Sequence, residues 1–125
     1  MLRQFSSGRN RRCPRCGVDM ESRQLTREVR VEVCLKCQGM WLDHGRLRSL
    51  VSVPISERSN PRDLLRAGPT EDPCPDCDLL LREREFPRGS GIFVAQCRRC
   101  AGMFMKKGVL DRIQEYLRRG RQGQL

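Results

Sequence analysis

Between Cys34 and Leu47 the chain reads CLKCQGMWLDHGRL, a Cys-x-x-Cys pair followed by its only Trp and its only His. From Cys97 to Leu110 it reads CRRCAGMFMKKGVL. A shift of 63 positions lays Cys34 on Cys97, Cys37 on Cys100, Gly39 on Gly102, Met40 on Met103 and Trp41 on Phe104. The same shift continues through Gly45 on Gly108, Leu47 on Leu110 and Leu50 on Ile113. So long a run of matched cysteines, glycines and apolar positions marks an internal duplication.

Each copy follows a further pair, Cys13/Cys16 in CPRC and Cys74/Cys77 in CPDC. Seventeen residues lie between the pairs of the first unit and nineteen between those of the second. A Cys-x-x-Cys turn presents two thiolates on one backbone knuckle. Two knuckles joined by a hairpin supply the four tetrahedral sulfur ligands that zinc prefers. Local pairing closes the shorter loops, so the expected ligand sets are Cys13, Cys16, Cys34 and Cys37, then Cys74, Cys77, Cys97 and Cys100. Two structural zinc ions are therefore expected. Iron also accepts four thiolates and stays open on the spacing alone; the duplicated ribbon layout favours zinc. A thioredoxin-type redox pair would use one motif in a βαβ setting, not four. Catalytic zinc keeps an open position that four thiolates fill, so no enzyme is expected. His44 is surplus to both ligand sets and reads as incidental.

The local patterns give the elements. Arg27–Val33 alternates, with Val29, Val31 and Val33 on one face, as a half-buried strand does. Ile92–Gln96 takes the same place in the second unit. After Trp41, Asp43 reads as the N-cap of a short helix carrying Leu47, Leu50 and Val51, although Arg46 stands where a capping box wants Glu. In the second unit Lys106 takes the cap position. A longer stripe of Val109, Leu110, Ile113, Tyr116 and Leu117 predicts a helix over Val109–Arg119 that packs the ribbons or offers a docking face. Trp41 and Phe104 read as small cores beside each metal rather than as base-stacking platforms.

With 125 residues, 5% of them aromatic and 32% charged, the composition argues against one large apolar core; modules this small need metals, disulfides or partners, and the eight cysteines are the obvious supplement. The fold class is thus small, metal-stabilised and β-rich (α+β): two tandem four-cysteine zinc ribbons, each a β-hairpin followed by a short helix. The expected divisions are a basic flexible arm over 1–12, ribbon one over 13–51, a proline-spaced linker over 52–73, ribbon two with its helix over 74–119, and a flexible tail over 120–125. No apolar stretch nears the roughly 18 residues of a membrane span, and MLRQFSSGRNRR lacks the apolar segment of a secretory signal. A cytoplasmic chain with reduced thiols is the expectation.

Charge is uneven along the chain. The total is +10, of which residues 1–12 carry +4 and residues 118–125 carry +3. A zinc ion with four thiolates carries −2, which cancels the +2 of each ribbon. The surplus therefore sits at the termini, and Arg3, Arg9, Arg11, Arg12, Arg118, Arg119 and Arg121 are the candidates for phosphate contact. Near-neutral ribbons suit docking on a protein. The leading expectation is a non-enzymatic zinc-binding adaptor with a protein partner, on a protein or nucleoprotein assembly. Direct, largely nonspecific nucleic-acid binding, and thiol redox or metal handling, are the alternatives.

CPRCG followed by CLKCQGMWLDHGRL resembles the TFIIB-type zinc-ribbon family of transcription-factor zinc fingers. That pattern is matched at Cys13, Pro14, Cys16, Gly17, Cys34, Cys37, Gly39, Trp41, Leu42, Asp43, Gly45 and Leu47. Arg46 departs from the family's Glu. The second unit is a degenerate copy, with Asp78 at the knuckle glycine, Phe104 for Trp and Lys106 for Asp. The resemblance implies zinc-ribbon folds and, by analogy of fold alone, a place near the transcription apparatus.

Overall fold

In the computed structural model, which describes residues 11–51 and 68–123, the two units do not stand apart. Ribbon one supplies β1 (Glu21–Gln24), β2 (Arg30–Val33) and β3 (Met40–Leu42). Ribbon two supplies β4 (Pro69–Pro73), β5 (Leu80–Glu85), β6 (Phe93–Gln96), β7 (Met103–Met105) and a helix, α1 (Val109–Gly123). All seven strands join one antiparallel sheet in the order β1-β2-β3-β7-β6-β5-β4. The seam is β3 against β7, which pairs Met40 with Met105, Trp41 with Phe104 and Leu42 with Met103. The duplication is thereby folded about a local two-fold axis through the Trp41–Phe104 pair.

The two faces of the sheet carry two different cores, as the period of two along each strand requires. On one face Val29, Val31, Leu42 and Leu47 of ribbon one meet Phe86, Ile92, Val94, Met103 and Met105 of ribbon two, under Val109 and Ile113 of α1. On the other, Trp41, Phe104, Met20 and Leu81 pack with the buried cysteines Cys13, Cys34, Cys74 and Cys97. The helix therefore spends its apolar stripe on joining the ribbons: Ile113 is fully buried, and Gln114 donates to the Leu50 carbonyl of ribbon one at 2.7 Å. Tyr116, placed on that stripe by its spacing, is instead exposed.

Three boundaries and one cap differ from the sequence reading. The spacer set at 52–73 ends sooner, because Pro69–Pro73 pairs with β5. The counterpart in ribbon one is the Arg12–Asp19 bridge, so Arg11 and Arg12 belong to the ribbon rather than to an arm. The helix runs on to Gly123, past the end set at Arg119. Asp43 does not cap a helix: Leu47–Leu50 is a single 3-10 turn with Arg46 before it and no side-chain cap. Gly45 and Gly108 turn the chain into the two helical segments at φ +93° and +82°, a conformation that L side chains resist.

A different constraint acts on Gly39 and Gly102, whose φ values are ordinary. Each lies beneath the aromatic ring of the opposite ribbon. A Cβ on Gly39 would stand 2.8 Å from Phe104 Cε1 and closer still to Cζ; one on Gly102 would stand 3.0 Å from Trp41 Cε2 and closer to Cζ2. The rings are thus exchanged, each filling the space that the other ribbon's glycine leaves. Gly39→Ala is expected to cost about 1–3 kcal/mol through overpacking. Denaturant unfolding of the zinc-loaded protein measures this, and Phe104→Leu in the Gly39→Ala background should recover part of the loss.

Candidate metal centres

Both sites are built from four repeats of one backbone device. In each knuckle the N–H of the residue after the second cysteine donates to the carbonyl of the first: Gly17 to Cys13, Gln38 to Cys34, Asp78 to Cys74 and Ala101 to Cys97, at 2.8–3.0 Å. The first cysteine's N–H is returned to a carbonyl five residues on: Val18, Gly39, Leu79 and Gly102. This closure puts Gly17, Gln38, Asp78 and Ala101 all at φ between +63° and +74°. Asp78 therefore occupies a left-handed position where the first copy has glycine, and Asp tolerates it better than most residues. In the second ribbon Gln96 braces the last knuckle, donating to the Ala101 carbonyl at 3.1 Å while accepting from Arg84 at 2.7 Å.

The knuckles aim their sulfurs inward. Cys13, Cys16, Cys34 and Cys37 form one group and Cys74, Cys77, Cys97 and Cys100 the other, each with all Sγ atoms within 4.8 Å of one another. These are the two ligand sets expected from local pairing. Cys13 and Cys37 Sγ stand 3.7 Å apart and Cys74 and Cys100 Sγ 3.8 Å apart. Four sulfurs about 2.3 Å from one tetrahedral zinc stand about 3.8 Å from each other, so the groups fit the ion as they are. Disulfides would need about 2.05 Å.

Backbone N–H groups surround six of the eight sulfurs, those of Cys13, Cys34, Cys37, Cys74, Cys97 and Cys100. Cys16 N–H points at Cys13 Sγ, Cys37 N–H at Cys34 Sγ, Gly39 N–H at Cys37 Sγ, and Arg99 N–H at Cys97 Sγ, at 3.3–3.4 Å. Their effect shows in the unmetallated thiols. Burial pushes Cys13 up to about 12 and Cys100 up to about 11. At Cys34 burial also opposes ionisation, but the amides of Cys37 and Lys36 outweigh it and bring the thiol down to about 7. Cys97 is lowered in the same way by the amides of Cys100 and Arg99. Each site thus holds one easily ionised thiol in its second knuckle, and a metal ion supplies the charge that the buried partners need. With four sulfurs in place the shell is closed, leaving no position for water. His44 is exposed and joins neither group.

Residues 12–53 match the family of transcription factor zinc-fingers. The match spans the first ribbon and its four cysteines. No curated protein and no solved structure matches the chain. Ribbon two lies beyond the matched span, and its kinship to ribbon one rests on the second cysteine group and on the shared topology. Together these identify two structural zinc sites.

Between the first knuckles of the two ribbons lies an open cleft of about 560 Å³, whose walls include Pro14 and Arg15 on one side and Pro75 and Asp78 on the other. At its margin sits a residue that sequence reasoning misplaced. Arg11, read as a phosphate-binding cation of the arm, donates bidentately to Asp76 of the second ribbon's first knuckle at 2.8 and 2.9 Å. It also reaches Glu32 at 2.6 Å and Asp43 at 2.9 Å. Its partial burial opposes the charge, and the carboxylates of Asp76, Asp43 and Glu32 more than reverse that, holding its pKa above the ordinary arginine value. Asp43 in turn accepts from Trp41 Nε1 at 3.3 Å, which is the role its carboxylate has in place of a helix cap. No spacing rule could have found Arg11, since Asp76 lies 65 positions away.

The other nucleic-acid candidates divide. Arg12 is exposed, with Asp19 at 3.9 Å. Arg118 and Arg119 both pair with Glu115 on the helix. Arg3, Arg9 and the side chain of Arg121 lie outside the described residues.

Elemental analysis should return two zinc ions per chain, and stripping them with a strong chelator should abolish the near-UV signal of buried Trp41. Gln38→Gly should raise the stability of the loaded protein by about 1 kcal/mol, read from its denaturation midpoint, because an exposed side chain leaves a left-handed position.

Proposed function

We propose that this protein is a non-enzymatic, cytoplasmic zinc-binding adaptor that docks on a protein or nucleoprotein assembly, with the transcription machinery as the class of target. The observation that carries this reading is the match of ribbon one to transcription factor zinc-fingers, joined to two metal shells closed by sulfur. The metals are spent on architecture, which leaves surfaces as the working parts. Among the described residues the sheet has two edges. β4 begins and ends in proline, which cannot donate to an added strand, whereas β1 is exposed along its whole length. Beside it the knuckle tip presents Leu35, the most exposed large apolar side chain among those described, next to Lys36. No helix among the described residues is long and apolar enough to cross a membrane.

The net charge of +10 favours one second reading, direct grip on nucleic acid. Several of its candidate cations are already held by carboxylates, which weakens it. A salt titration on generic DNA and RNA separates the two. The adaptor reading expects little binding even at low salt, together with a nuclease-resistant partner that Leu35→Glu releases. Tight binding at low salt with a steep salt slope, lost on removing residues 1–10 and 121–125, would establish the second reading instead.

A further inference from the structure

We infer that the two zinc ions are bound and released as a pair, because each ribbon's metal site is closed by a side chain that belongs to the other. Gly39 adjoins the ligand Cys37, and the atom covering Gly39 is Phe104 of ribbon two; a Cβ there would meet both the Phe104 ring and, at 3.2 Å, the Cys37 sulfur. In the mirror position Gly102 adjoins the ligand Cys100 and is covered by Trp41 of ribbon one. The glycine N–H groups under these rings are the ones that point at the ligand sulfurs, Gly39 to Cys37 and Gly102 to Cys100, each at 3.4 Å. Arg11 makes a third tie. It stands two residues before the ligand Cys13 and grips Asp76, which lies between the ligands Cys74 and Cys77.

The linkage follows from these contacts. A ribbon without its metal loses most of its reason to fold, since thiolate–zinc bonds supply the folding free energy of such small modules. When ribbon two unfolds, Phe104 leaves Gly39, Asp76 leaves Arg11, and β7 leaves β3. Ribbon one then keeps its four cysteines but loses the ring over its second knuckle and half of the core beneath α1. Its zinc affinity falls, and by reciprocity the second site depends on the first to the same extent. The protein responds to zinc as one unit, an inference that stands whether or not the docking reading is right.

The test is partial chelation of the zinc-loaded full chain, followed by rapid alkylation of free thiols and intact-mass measurement. Paired release leaves molecules with no alkyl groups and molecules with eight, one for every cysteine. Independent, equal sites would leave about half of the molecules with four at the midpoint, whereas coupling through this seam should hold them to roughly a tenth. A predominant four-fold alkylated species overturns the inference, whichever ribbon it comes from. Phe104→Leu supplies the second arm. It should raise the four-fold species several-fold, with peptide mapping placing the label on Cys13, Cys16, Cys34 and Cys37, the site remote in sequence from the substitution. A Phe104→Leu protein that fails to hold either metal shows the same dependence in its extreme form. One that releases both metals as the parent does removes Phe104 as the carrier and overturns the mechanism.

Discussion

The seam between β3 and β7 is the constraint on which the rest of the molecule depends. It is only three residues long on each side, too short for backbone hydrogen bonds to carry it. Its strength comes from the side chains directly opposite one another. Trp41 and Phe104 face each other across the axis and reach past it onto the neighbouring glycine. On the reverse face Leu42 and Met103 extend a core that α1 closes over both ribbons. Each of β3 and β7 therefore serves two masters: one face of the strand addresses the metals and the other the helix. The same alternation explains why neither ribbon needs a large core of its own.

This arrangement divides the energetic work in a particular way. Each zinc organises its own two knuckles, but the apolar surface that a single ribbon would leave in water is buried only by its twin. The helix after β7 has poor local credentials at its start, with Lys106 and Lys107 preceding it near the positive end of its dipole, although Asp111 in the first turn partly offsets them. It forms because Val109 and Ile113 find a surface to cover. Among the described residues ribbon one has no such helix, and its 3-10 turn places Leu47 in the core that ribbon two's helix covers. Within those residues one helix serves the pair.

What could be read in the sequence was whatever is local and periodic. Both ligand sets, the strands around Val31 and Val94, and the apolar stripe of the helix follow from spacings of a few residues. The duplication also revealed that Gly39 and Gly102 matter, without saying why, because the reason is a ring from the other ribbon, Phe104 over Gly39 and Trp41 over Gly102. Arg11 is the clearest loss. In sequence it belongs to an Arg-rich terminus, and only the fold shows three carboxylates converging on it. Asp43 was misread for a related reason: an Asp before a helical turn usually caps it, but here Trp41 and Arg11 claim the carboxylate first. Local rules yield where a longer-range partner offers a fully charged hydrogen bond.

The Arg11 clamp also bears on why the halves pair with each other rather than with copies of themselves. Under the local symmetry Arg11 corresponds to Asp72 and Asp76 to Arg15, so the signs are exchanged between the ribbons. A seam between two copies of ribbon one would bring Arg11 to another chain's Arg15, and a seam between two copies of ribbon two would bring Asp72 to Asp76. Both self-pairings set like charges at the margin of the knuckles, where the pairing within one chain sets opposite ones. The rings repeat the lesson in volume: two Trp41 side chains would have to fit over two glycines where the present seam fits one Trp and one Phe. Divergence at these few positions turns a symmetric surface into one that is satisfied within a single chain. The outward parts of the knuckles are then free to differ, as Leu35 and Arg98 do at equivalent tips. A duplicated ribbon that keeps its cysteines and its glycines but exchanges its charges has one interior and two unlike exteriors.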